Sequence, residues 1–144
     1  MELTGGCLCK AVRYRIAGSP LTARACWCRM CQQIGAGSGT VNAMFQSGDV
    51  TVEGELREYR TVADSGNLMY WRFCPCCGTH VLATSERRPQ FTAIRIGTLD
   101  DPEQVRPLAT IWASAAPSWA AIDPALPRFE QQPPPPVAST GPAR

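Results

Sequence analysis

Residues 74–79 read Cys74-Pro75-Cys76-Cys77-Gly78-Thr79 and residues 7–9 read Cys7-Leu8-Cys9, and whether these two stretches meet decides the fold. Cys74 and Cys77, with Pro75 between them and Gly78 just after, have the form of a zinc knuckle. In such a turn two thiolates and the backbone N–H groups face one ion, and glycine permits the closing backbone conformation. Cys7 and Cys9, if they stand at i and i+2 of an extended strand, point to one face with Cα atoms about 6.5 Å apart. They can then share an ion, whereas a direct bond between them would be strained. Together the pairs make a closed four-thiolate site, the pattern of structural zinc, tying the N-terminal strand to a distant segment. Binding energy at such a site is largely folding energy, so its loss is expected to unfold the domain. The alternative is a set of buried free thiols or an oxidised pair. Cys76 neighbours Cys77 and points away from it; it reads as a spare thiol, filling space as a small buried apolar residue.

The third group, Cys26-Trp27-Cys28-Arg29-Met30-Cys31, offers three ligands within six residues and has no obvious fourth. An incomplete shell is the mark of a site with an open position. Cys26, Cys28 and Cys31 holding a second zinc would carry one net negative charge. That blunts the metal's power to acidify water and suits it better to a thiol ligand. The alternative is a shell completed by another protein group, which would make this zinc structural too.

The remainder of the chain sets the context. Its 144 residues suit one domain, and 44% hydrophobic with 18% charged residues is a globular balance. The formal charge of +2 and the scattered arginines give no nucleic-acid footprint, and no apolar run is long enough for a membrane span. The first residues, Met1 to Cys7, lack a charged stretch followed by an apolar one, so the expected compartment is the cytoplasm. There, eight cysteines indicate metal or catalysis rather than disulfides. His80 is the only histidine, so an active centre must be built mainly from sulfur.

Residues 11–16 alternate apolar and basic side chains, the period of a half-buried strand. Similar short runs at 39–45, 50–53, 56–62, 68–73, 80–84 and 91–97, broken by Gly, Asp, Ser or Pro, predict a mainly β, antiparallel fold with little helix. The helical exceptions are a turn or two over 29–34 and one short turn at Asp101-Pro102-Glu103-Gln104. From Gln131 the composition shifts to a proline run; residues 1–130 are read as the domain and 131–144 as a Pro-rich flexible tail.

Several other residues have two readings each. Trp27 either covers the open zinc, contacts a substrate, or only packs. Arg24 and Arg29 flank the triplet and either meet substrate carboxylates or balance its charge. His80 reads as a hydrogen-bonded structural residue near the knuckle, and Trp112, Trp119 and Phe129 as core residues sealing the fold.

The sequence resembles the glutathione-dependent formaldehyde-activating enzyme family, which includes centromere protein V. The matching pieces are Gly5-Gly6-Cys7-Leu8-Cys9, the Cys26–Cys31 triplet, Phe73-Cys74-Pro75-Cys76-Cys77-Gly78-Thr79, and the segments from Ile111-Trp112 through Pro117-Ser118-Trp119 to Leu126-Pro127-Arg128-Phe129-Glu130. The resemblance implies a β-tent fold of small antiparallel sheets around a structural zinc on Cys7, Cys9, Cys74 and Cys77. It also implies a catalytic zinc on Cys26, Cys28 and Cys31. The activity implied is that of a carbon–sulfur lyase, adding the thiol of glutathione to formaldehyde; the partners expected are a small thiol such as glutathione and a small aldehyde. The family usually has histidine where this chain has Trp27, arginine at Gln32, glycine at Lys10 and often histidine at Thr110. The competing reading is a non-catalytic binding module stabilised by zinc.

Overall fold

A computed structural model describes residues 2–135. The alternation of Arg13-Tyr14-Arg15-Ile16 is realised as strand β2 (Arg13–Ile16), which buries Tyr14 and Ile16 and leaves the arginines outward. It lies between β1 (Leu3–Gly6) and β5 (Val50–Glu53) in a three-stranded antiparallel sheet. The larger sheet has seven strands: β3 (Thr22–Cys26), β4 (Thr40–Gln46), β6 (Arg57–Val62), β7 (Leu68–Phe73), β8 (His80–Ser85), β9 (Arg88–Arg95) and β10 (Ala109–Ile111). Their spatial order is β10-β3-β4-β9-β8-β7-β6. The protein is mainly β, as expected, and the one α-helix among the described residues, α1 (Arg29–Ile34), spans the predicted residues. Asp101 caps the predicted short turn over Pro102–Gln104, accepting from the Glu103 N–H at 3.1 Å. No helix among the described residues is long and apolar enough to cross a membrane.

Two strands escaped the sequence pattern. β3, Thr-Ala-Arg-Ala-Cys, has small residues where a strand signal needs β-branched or aromatic ones, and β10 is only three residues long. β10 also pairs parallel to β3, so the large sheet is not wholly antiparallel.

The period of two divides this sheet into faces with different tasks. Ala23, Ala43, Phe45, Leu82 and Ile94 face the main core, which they form with Leu3, Tyr14 and Ile16 of the small sheet. On the opposite face Arg24 stands beside Asn42, and Asn42 beside Arg95, in one row across β3, β4 and β9. The neighbouring row runs Ala93, Ala83, Trp71 across β9, β8 and β7. That face lines a cavity.

Tyr14 joins the two sheets. Its hydroxyl, pushed up to about 12 by burial, donates to Thr98 Oγ1 at 2.8 Å, and Thr98 donates onward to the Arg95 carbonyl at 2.7 Å. Outside this bond, Asp100 takes a two-pronged contact from Arg13 (2.8 and 2.5 Å) and the Thr4 hydroxyl at 2.6 Å. The Arg13 guanidinium holds the Asp100 carboxyl down at about 2.

Three expectations are corrected. Cys7 and Cys9 do not stand in a strand: β1 ends at Gly6, and the chain turns, with the Lys10 N–H bonding the Cys7 carbonyl at 3.1 Å and Lys10 at φ 68°. This left-handed backbone is the reason glycine suits that position. Cys76 is exposed rather than buried, because the knuckle turns its outer residues to solvent. Trp119 and Phe129 are 71% and 40% exposed and so do not seal the core; the segment carrying them runs along the outside of β10.

The proline-rich segment begins at Gln131, and its described part, 131–135, lies against the large sheet. The Trp112 N–H donates to the Gln131 carbonyl (3.3 Å), its Nε1 to Gln132 Oε1 (2.9 Å), and Arg24 Nη2 to the Pro134 carbonyl (3.3 Å). Residues 136–144 of the expected tail lie outside the described residues.

A Cβ on Gly5 would fall 2.3 Å from both the Thr98 carbonyl oxygen and Tyr14 Oη, so Gly5→Ala must push the two sheets apart. The substitution is expected to lower stability by about 3 kcal/mol or more, at the upper end of overpacking costs, as read from the denaturant midpoint of the metal-loaded protein.

Candidate metal centres

Two turns bring the first four sulfurs together. The turn after β1 carries Cys7 and Cys9. The turn between β7 and β8 carries Cys74 and Cys77, closed by the Gly78 N–H on the Cys74 carbonyl (2.9 Å) with Gly78 at φ 75°. The turns touch directly through the Leu8 N–H and Thr79 Oγ1, 3.2 Å apart. All four sulfurs lie within 4.8 Å of one another. Cys7 to Cys9 is 3.6 Å and Cys9 to Cys74 is 3.7 Å. Four sulfurs at 2.3 Å from a tetrahedral zinc would be separated by about 3.8 Å, so the spacing fits one ion.

The electrostatics fit as well. Cys77 is held down at about 5, first by the Thr79 hydroxyl (3.1 Å) and then by backbone N–H groups. Burial pushes Cys7 up, but the Val12 N–H on its sulfur (3.2 Å) and the neighbouring thiols bring it below its ordinary value. Cys9 feels the Ala11 N–H, yet its sulfur neighbours push it up to about 12. Thiols this close resist ionising together unless a cation sits among them, and the N–H groups are already placed for thiolates.

The triplet is built differently. Cys26 ends β3, Cys28 caps α1 by accepting the Cys31 N–H at 3.4 Å, and Cys31 sits in the helix. All three are buried, with their sulfurs within 4.8 Å of one another. Among the described residues no fourth Cys, His, Asp or Glu joins the group. Cys31 is held down at about 3 by the Cys26 and Cys28 thiols first, then by Thr40 and Arg95; Cys26, their hydrogen-bond partner, is pushed up.

These sulfurs form the floor of the cavity, about 160 Å³ in volume, whose walls are mostly apolar and include Met44, Trp71, Phe91 and Trp112. Of the residues singled out beside the triplet, Arg24 lines this cavity. Trp27 does not: it is buried, and its ring lies against Gly39. Arg29 is engaged elsewhere, donating to Gln32 Oε1 at 2.6 Å. Gln32 is a brace, its amide donating to the carbonyls of Trp27 (2.8 Å) and Ala115 (3.0 Å). His80 lies beside Phe73, with ring centroids 5.3 Å apart. Its Nδ1 is buried without a partner, contrary to the expected hydrogen bond. Burial, then Arg95, lowers its pKa.

Sequence reasoning missed Arg95 and misplaced Trp112. Arg95 is 8% exposed, and burial lowers its pKa, opposed in part by the sulfurs of the triplet. Trp112, at φ 55°, packs on the triplet from the position expected of Trp27. The signal for Arg95 was a charged residue inside the apolar strand 91–97.

A family description, glutathione-dependent formaldehyde-activating enzyme, matches residues 2–115. The crystal structure of a Rhodobacter sphaeroides protein shares the fold with a TM-score of 0.55 and 21% identity, covering 70% of this chain and 93% of that one. No curated protein matches the chain.

The two clusters should respond differently to loss of one sulfur. Cys77→Ser is expected to abolish cooperative unfolding, whereas Cys26→Ser should lower the bound metal by one equivalent and leave the circular dichroism of the β-sheet unchanged. Elemental analysis beside thermal melts checks both.

Proposed function

The chain belongs to the glutathione-dependent formaldehyde-activating enzyme family, and from that membership and the three-sulfur floor of the cavity we propose that it is a zinc-dependent carbon–sulfur lyase. Its substrates are a small thiol such as glutathione and a small aldehyde. Cys7, Cys9, Cys74 and Cys77 hold a structural zinc, and Cys26, Cys28 and Cys31 hold the second. All-thiolate donor sets select zinc among the common divalent ions. The observation that carries the reading is the triplet itself: three buried sulfurs facing a cavity, with no fourth acidic, histidine or cysteine side chain in the group among the described residues.

When bound there, zinc supplies an electrophilic centre at which an incoming thiol ionises below its free pKa of about 8.5. The chain's own residues do the rest. The apolar walls strip water from the nucleophile, which strengthens electrostatic interactions inside the cavity. Trp112 and Met44 confine the sulfur and the carbonyl carbon to one small volume, which favours their encounter. In the addition the thiol S–H bond breaks, a carbon–sulfur bond forms, and the carbonyl oxygen gains the proton the thiol lost. No electron acceptor is needed, and the reverse reaction cleaves the adduct.

Trp27 and Gln32, the departures that motivated a binding-module reading, leave the cavity open: one packs away from it and the other braces the triplet loop.

The zinc-loaded protein is expected to bind glutathione and to accelerate formation of S-hydroxymethylglutathione, followed by exchange spectroscopy in mixtures of glutathione and formaldehyde. Cys28→Ser should cut kcat/KM by about a hundredfold or more. A loaded protein that neither binds glutathione nor changes the rate with formaldehyde or another small aldehyde would overturn the proposal in favour of the binding module.

A further inference from the structure

Arg95 poses a physical problem that the fold does not solve with a carboxylate. The residue is 8% exposed, and burying a charge without compensation is among the costliest arrangements in a protein. One of its nitrogens, Nη1, donates to Asn42 Oδ1 at 2.5 Å and Thr40 Oγ1 at 3.4 Å, both neutral acceptors. Its Nε and Nη2, one edge of the fork, are buried with no hydrogen-bond partner among the described residues. Its flat face lies 4.9 Å from the centroid of the Trp71 ring, which shields it from water. Among the described residues no carboxylate forms an ion pair with it.

The sulfurs of Cys26, Cys28 and Cys31 line the same cavity as Arg95, and Thr40, which accepts from its Nη1, stands opposite Cys26 across β3 and β4; the carboxylate on the cavity wall, Asp64, forms no ion pair with it. Three thiolates with a divalent ion carry one net negative charge, and the guanidinium cancels it. Counting the metal, its ligands and Arg95, an anionic fourth ligand then leaves one net negative charge instead of two, with Arg24, Arg88 and Asp64 further along the cavity wall.

We propose that Arg95 is the positioning residue of the three-cysteine centre: a built-in counter-cation that stabilises the metal thiolates and lets the fourth position take an anionic sulfur or oxygen ligand in preference to a neutral one. The ligand preference rests on the reading of the triplet as an open metal site; the counter-cation role needs only that a metal binds there. Thr40 and Asn42 fix the fork from one side and Trp71 fixes its plane, so the free edge stays unpaired in the cavity that the three sulfurs also line. An arginine placed in this way acts as neighbours of metal ligands commonly do, through the basicity and orientation of the ligands rather than by touching the reacting atoms.

Two measurements on Arg95→Gln and Arg95→Lys test this. In competition with a zinc chelator, Arg95→Gln is expected to weaken the triplet's zinc by about tenfold to a hundredfold and to leave the four-cysteine zinc unchanged, with Arg95→Lys recovering most of the loss. In the cobalt-substituted protein, whose visible bands report the fourth ligand, thiocyanate should lose affinity in Arg95→Gln while neutral imidazole does not. Unchanged zinc affinity, or equal weakening of thiocyanate and imidazole, overturns the proposal. If wild-type cobalt protein takes up neither probe, the vacant position fails, and the ligand preference with it. The counter-cation role is then decided by the zinc competition alone. Should Arg95→Gln not fold, Asn42→Ala, which removes the closest acceptor of Nη1, is expected to weaken the triplet's zinc in the same direction by less, and no change there sinks the idea equally.

Discussion

Convergence of four sulfurs from two turns, with Cys9 and Cys74 separated by 65 positions, is the constraint on which the remaining architecture depends. One turn leaves the small sheet and the other joins two strands of the large one, so the cluster fixes how the sheets meet. The core between them is mostly aliphatic, with Tyr14 and Phe45 its aromatic members, and a domain of this size has limited apolar area to bury. A metal-thiolate crosslink at this cluster would add to that stability, and backbone N–H groups already point at the sulfurs.

The division of the large sheet into a core face and a cavity face follows from that anchor. With one face of β3, β4, β8 and β9 committed to the small sheet, the alternate residues of the same strands are left to line a cavity. Cys26 at the end of β3 then sits on the same face as Arg24, Asn42 and Arg95. The cavity is not an addition to the fold; it is the other side of the strands that make the core.

Much of this was legible in the sequence, and the parts that were not share a cause. Cysteine spacing gave both clusters because ligand geometry is local and specific. Alternation gave most strands because one face of each is buried. It missed β3 and β10, whose residues are small or too few to carry a pattern, yet these two place Cys26 and Ile111 side by side. Trp27 and Trp112 were exchanged in role for a related reason: proximity along the chain placed Trp27 at the triplet, while the parallel pairing of β10 with β3, a contact across about 85 positions, brings Trp112 there instead. Arg95 was invisible because its significance is electrostatic and depends on three strands being in register. Cys76 and the exposed Trp119 show the converse error, in which an apolar or sulfur side chain was taken for an interior one.

The two clusters also differ in when a growing chain could complete them. All three members of the triplet are in the chain once Cys31 is added, whereas the four-sulfur site must wait for Cys77. At about 5–20 residues per second, that interval is roughly 2–9 seconds, during which Cys7 and Cys9 are exposed nucleophiles with no partners. A nascent chain therefore offers its three-sulfur group to any metal ion before its four-sulfur group is complete, and an intruding soft ion such as copper(I) would have its opening before the fold has closed.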